Sequence, residues 1–152
     1  MPAAPVLPDF PASIGSGLAQ AGAALWVGMD LVLISRIQNS VDQFGDRFMQ
    51  RIFTEHEAAY ARATPALLAE RLAARFAAKE ATLKALRMAD KGIAWREMEV
   101  CRHADGRCDL HLHGKAAQHA QQMGVTQVSL SLSHDGDYAA AIVAVLCQPL
   151  LP

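Results

Sequence analysis

The chain has 152 residues, room for one hydrophobic core and not for two. Hydrophobic types make up 52% of it, much of that alanine, and no apolar run approaches the roughly 20 residues a membrane span needs, which argues against a spanning protein. A formal net charge of -1 offers no global field to gather nucleic acid or an anionic membrane, so neither is expected as a partner and any acidic protein must be met by a local basic patch.

In chain order, residues 1–24 are rich in Ala, Pro and Gly and carry no Lys or Arg ahead of an apolar stretch, so they read as a flexible N-terminal extension and not as a secretory signal. The run 25–34 has strand length and is apolar but for Asp30. Ser35 with Gln38 three residues on predicts a capping box and a helix that Gly45 can end. A second box, Thr54 with Glu57, predicts another short helix, and Thr64 before Pro65 predicts the start of a long one running to about Arg87. Residues 97–102 and 107–113 are strand-like around an Asp105-Gly106 turn, 114–122 reads as a helix stopped by Gly124, and 125–134 and 138–146 form a hairpin about Asp135-Gly136. The order predicts an α+β fold, helices laid on one side of a twisted, mostly antiparallel sheet, with one domain over 25–148 and a tail at 149–152.

The long helix carries the candidate chemistry. An advance of about 100° per residue gathers Leu68, Leu72, Phe76, Leu83 and Leu86 into a core-facing arc, and Lys79 falls inside it, either snorkelling out or meeting a phosphate. The other side is nearly all alanine (Ala73, Ala74, Ala77, Ala78, Ala81, Ala85), which permits close approach of a second element. Glu80 and Lys84, four apart, are then a plain surface ion pair or, in a cleft, charges that need an ion or ligand. Two carboxylates from separate elements, Asp30 and Glu80, with lysines beside one of them, suit magnesium and a diphosphate: hard oxygens for the ion, ammonium groups for the remaining phosphate charge.

His134, at the end of an alternating strand, is placed to meet a ligand or to serve structure, and His111 with His113 shares a strand face but lacks a third soft ligand at matching spacing. Arg36, Arg47 and Arg51 form a patch for an acidic protein or a face balanced by Asp42, Asp46, Glu55 and Glu57. Cys101, Cys108 and Cys147 are odd in number and without C-x-x-C spacing, which suits free thiols in the cytoplasm.

Four blocks in order, Gly28-Met29-Asp30-Leu31, Arg47-Phe48 through Arg51-Ile52-Phe53-Thr54-Glu55, Phe76-Ala77-Ala78-Lys79-Glu80-Ala81 with Lys84-Ala85-Leu86, and Ser131-Leu132-Ser133-His134, resemble the signature of holo-acyl-carrier-protein synthases, the 4′-phosphopantetheinyl transferases. The resemblance implies a homotrimer with active sites between subunits, Mg²⁺ held at Asp30 and Glu80, and coenzyme A contacted by Lys79, Lys84, Ser131 and His134. It implies an acyl carrier protein facing Arg36, Arg47 and Arg51, and either Lys84 or a water as the base that takes the carrier serine proton. Two other readings are a Mg²⁺-dependent transferase or hydrolase of a nucleotide diphosphate and a family member that binds a carrier without turnover. The chain departs from the pattern at Leu86-Arg87-Met88-Ala89-Asp90-Lys91-Gly92, where the family has a glycine-rich connection, and at Cys108, where proline is common.

Overall fold

Residues 22–148 are described by the computed structural model; most of the expected N-terminal extension and the whole expected tail lie outside them. Strand β1 (Ala24–Leu33) leads into helices α1 (Ile34–Phe44), α2 (Asp46–Ile52) and α3 (Glu55–Arg62), a 3₁₀ turn at Pro65–Leu67 and the long α4 (Leu68–Ala85). A second 3₁₀ turn at Trp95–Glu97 precedes β2 (Met98–Arg102), β3 (Cys108–Leu112), α5 (Gly114–Gln122), β4 (Val125–Asp135) and β5 (Tyr138–Cys147). The fold is α+β and its strands pair antiparallel, in a three-stranded sheet of order β1-β5-β4 and a separate β2–β3 hairpin where a single sheet was expected.

Alternation along β1 turns Trp26, Gly28, Asp30 and Val32 toward α4 and leaves Leu25, Val27, Met29, Leu31 and Leu33 on the open face, where Tyr138 and Ile142 of β5 join them. The alanine side of α4 is the one laid on this sheet: Ala73, Ala77, Ala78, Ala81 and Ala85 are buried, as are Val143 and Val145 below them, while Leu72 and Leu86 fill the core on the helix's other flank. The leucine arc is thus only part of the buried surface, because side chains one carbon long let the helix backbone touch the strand. A Cβ on Gly28 would stand 1.9 Å from the Ala81 carbonyl oxygen and 2.7 Å from the Ala85 nitrogen. Gly28→Ala is therefore expected to destabilise the fold by about 1–3 kcal/mol or more, the usual cost of overpacking, since the colliding atoms are backbone; an unchanged denaturant midpoint would show that strand and helix can part freely.

Two predicted caps are replaced. Ser35 lies inside α1, not before it: its backbone N–H and hydroxyl both donate to the Asp137 carboxylate, and the Ile34 N–H donates to the Asp137 carbonyl oxygen at 2.8 Å, so the β4–β5 turn closes the helix start. Gln38 donates to Asp42 instead. Thr64 makes no side-chain cap, and Pro65 opens a 3₁₀ turn before the α-helix proper. The Thr54–Glu57 box forms as predicted, and Gly45, at φ 51°, ends α1.

Candidate active site

Asp30 and Glu80 meet in one cleft of about 530 Å³, lined also by Arg36, Ile37, Phe76 and Lys84. Strand β1 aims Asp30 at the helix side because it shares parity with Gly28, and that glycine's contact with Ala81 and Ala85 holds the strand against the turn of α4 that carries Glu80. The Glu80 carboxyl is pushed above the usual carboxylate range by burial first and by the neighbouring Asp30 second, with Lys84 pulling partly the other way. Lys84 does not pair with Glu80: its Nζ crosses to the strand and donates to Asp30 Oδ1 and to the Met29 carbonyl oxygen, each at 2.9 Å. Two hard carboxylates that repel each other, one of them holding an ammonium, form a donor set that fits a small divalent cation.

Lys79 is not among the residues that line this cleft. It is wholly buried, its Nζ 2.8 Å from Glu57 Oε2 and donating to the carbonyl oxygens of Trp95 and Met98, so every donor is used inside the core and none is left for a phosphate. Its ammonium is pushed below the ordinary lysine range by burial, against the attraction of Glu57. Glu57 is the partner sequence reasoning missed: besides closing its capping box it accepts from the Val100 N–H at 2.9 Å and so ties α3 to β2 and α4. The signal was its capping-box position, which accounted for only one of these three duties.

Ser131 and His134 are not brought to Asp30 within this chain. Ser131 pairs with Ile142 on the open face, opposite to the face that Asp30 uses. His134 Nε2 lies 3.5 Å from Glu70 Oε1, ten residues before Glu80 on α4 and so about 15 Å along the helix axis. Around it a second cleft holds Tyr60, Arg71, Arg75 and Arg102. Arg71 and Arg75 stack on the Tyr60 ring at 4.4 and 4.2 Å, and Arg75 is buried with its Nε unpartnered, its guanidinium pushed down chiefly by desolvation. Nothing along the sequence singles out Arg71 and Arg75 on the long helix, since the ring that gathers them comes from α3.

Arg47 and Arg51 line a groove with Phe44, Ile52 and Trp95 that shares Phe48 and Phe76 with the Asp30–Glu80 cleft, and Arg36 lies in that cleft itself. Three of the four acids that balance them in sequence are engaged elsewhere: Asp46 with Arg62, Glu57 with Lys79, Asp42 with Gln38. The connection after α4 is closed by apolar plugs instead of glycines: Leu86 and Met88 are buried, and Arg87 takes the left-handed φ of 51° with its guanidinium 3.8 Å over the Trp26 ring. No helix among the described residues is long and apolar enough to cross a membrane.

A family model described as the 4′-phosphopantetheinyl transferase superfamily matches residues 26–143. The holo-[acyl-carrier-protein] synthase of Koribacter versatilis is 46% identical over 120 residues, covering 78% of this chain and 95% of that one. That of Herpetosiphon aurantiacus is 45% identical over 126 residues, covering 78% and 96%. Among solved structures, the ACPS-CoA complex of Chronobacterium ammoniagenes superposes with a TM-score of 0.73 at 34% identity, covering 83% of this chain and 99% of that one.

Proposed function

The chain belongs to the 4′-phosphopantetheinyl transferase superfamily, and from that premise we propose that it is a holo-acyl-carrier-protein synthase whose transfer centre is the Asp30–Glu80 cleft. It moves 4′-phosphopantetheine from coenzyme A to a serine of an apo acyl carrier protein. The serine oxygen bonds to the β-phosphorus as the bond to adenosine 3′,5′-bisphosphate breaks, and the serine proton passes to a base. The observation that carries the assignment of the centre is the meeting of Asp30, Glu80, Lys84 and Arg36 in one cleft.

Asp30 and Glu80 hold Mg²⁺, which when bound neutralises diphosphate charge. Lys84, already fixed by Asp30 and the Met29 carbonyl oxygen, presents the adjacent positive charge to the phosphates. A loose phosphoryl transition state needs positioning and charge neutralisation more than covalent help, so these groups and Arg36 supply most of the acceleration. Arg47 and Arg51, free of ion pairs among the described residues, receive the acidic carrier beside the apolar groove of Phe44, Phe48 and Trp95. Incubation with Mg²⁺, coenzyme A and an apo carrier should raise the carrier mass by one phosphopantetheine; an unshifted carrier overturns the reading.

The active unit is a homotrimer. Its support is the open face of the three-stranded sheet, where Leu25, Val27, Met29 and Leu31 are each more than half exposed, a contiguous apolar stripe of the kind that marks an interaction surface. Packing these faces together buries that stripe and lets the His134 cleft of one copy, with Arg71 and Arg75 to grip a phosphate, complete the Asp30–Glu80 cleft of the next. Leu31→Glu is expected to yield monomers by sedimentation and to abolish transfer, and a Leu31→Glu monomer with full activity would place the whole site in one chain.

A further inference from the structure

The outer face of the β2–β3 hairpin carries a second group of metal-type donors, remote in chemistry from the Asp30–Glu80 pair. Register sets Glu99 opposite His111 and Cys101 opposite Asp109, so Glu99, Cys101 and His111 share that face, and the first turn of α3 brings His56 over it. Cys101 Sγ lies 3.4 Å from Glu99 Oε1, 3.6 Å from His111 Nδ1 and 4.0 Å from His56 Nδ1, and the ligand atoms of His56, Glu99 and Cys101 all fall within 4.8 Å of one another. Around a tetrahedral zinc ion, with bonds of about 2.3 Å to sulfur and about 2.0 Å to nitrogen or oxygen, ligand atoms stand about 3.3–3.5 Å apart. The Cys101 spacings lie close to that shell, and His111, near Cys101 but outside the group of three, has to swing inward to join it.

We propose that His56, Glu99 and Cys101, with His111 as fourth ligand, bind a borderline-soft divalent cation of the zinc class that staples α3 to the β2–β3 hairpin. Thiolate and imidazole select such an ion over Mg²⁺, whereas the two hard carboxylates of the transfer cleft do the reverse, so the two sites are separable by metal chemistry. Cys101 is a free thiol. His113, whose Nε2 lies 3.8 Å from Glu99 Oε1, is placed to orient that carboxylate from outside the shell. The strand face of His111 and His113 lacked a soft third ligand in sequence because Cys101 reaches it across the hairpin and His56 from a helix 45 residues before Cys101.

Titration of the purified full chain with Co²⁺ in Mg²⁺-containing buffer tests this. One equivalent should bind with a near-ultraviolet sulfur-to-cobalt charge-transfer band and the visible bands of a tetrahedral ion, and Zn²⁺ should displace it. Cys101→Ser should erase the charge-transfer band, His56→Gln on the exposed helix should weaken binding by about tenfold or more, and Cys108→Ser should change neither. Because the Asp30–Glu80 cleft has no thiol, carrier modification in Mg²⁺ should persist in Cys101→Ser. A folded wild-type chain without the band, or a band that survives Cys101→Ser, overturns the proposal; should Cys101→Ser fail to fold, an undiminished affinity in His56→Gln does so.

Discussion

Glu80→Gln and Asp30→Asn are each expected to cut the rate of carrier modification by about a hundredfold or more, the scale on which loss of one electrostatic contact to a charged transition state is felt. Each change keeps the side-chain shape and removes one hard anionic oxygen from the cleft that Asp30 and Glu80 share. Stability should move the other way for Glu80. Its carboxyl is pushed up by burial and by Asp30, so the folded chain binds that proton more tightly than the unfolded one, and stability falls as pH rises from the ordinary carboxylate range through the raised value. Glu80→Gln should therefore unfold no earlier than wild type in Mg²⁺-free buffer at neutral pH, and the dip with rising pH should vanish. Denaturant midpoints taken beside the mass-shift assay separate the two effects. Near-normal turnover in both variants would place the ion elsewhere.

The buried Lys79–Glu57 pair carries the second large effect, on folding instead of chemistry. Lys79→Met leaves the Glu57 carboxylate buried without its ammonium, and Glu57→Gln strands the ammonium; each should cost about 3–5 kcal/mol, as broken buried pairs generally do. The two differ in pH response. In Glu57→Gln the attraction that opposes desolvation of Lys79 is gone, so its pKa falls further, the unfolded chain holds more protons, and stability should recover as pH rises toward the ordinary lysine range. Lys79→Met has no such titration and should show no such recovery. Below its melting temperature Lys79→Met should keep the wild-type KM for coenzyme A. A KM raised many-fold in a variant of undiminished stability would return Lys79 to the phosphates.

The Lys79 case shows why the site was only partly legible. A lysine within a leucine arc is compatible with snorkelling, ligand contact or burial, and the choice depends on whether a carboxylate from another element arrives; here Glu57 does, from α3. Asp30 and Glu80 were easier, because a lone acid in an apolar strand and an acid bordering a helix stripe each announce a desolvation cost that something must offset. Caps divided on the same principle. Thr54 and Glu57 satisfy each other within four residues, so the motif formed, whereas Ser35 found a carboxylate 102 positions away at Asp137. His134 could be placed on a strand end from its alternation, but not beside Tyr60, Arg71 and Arg75, which come from other elements.

By itself the sequence determined the element order, the closing hairpin and the α+β class, and it singled out the two acids that meet in one cleft, since periodicity, turn residues and misplaced charge are properties of neighbours along the chain. The tertiary structure alone decided which side of α4 meets the sheet, that Lys79 belongs to the core, that Lys84 crosses to Asp30, and that His56, Cys101 and His111 converge. The physical reason is that a side chain takes its role from the partner that packs against, desolvates or neutralises it, and that partner lies far away in the sequence.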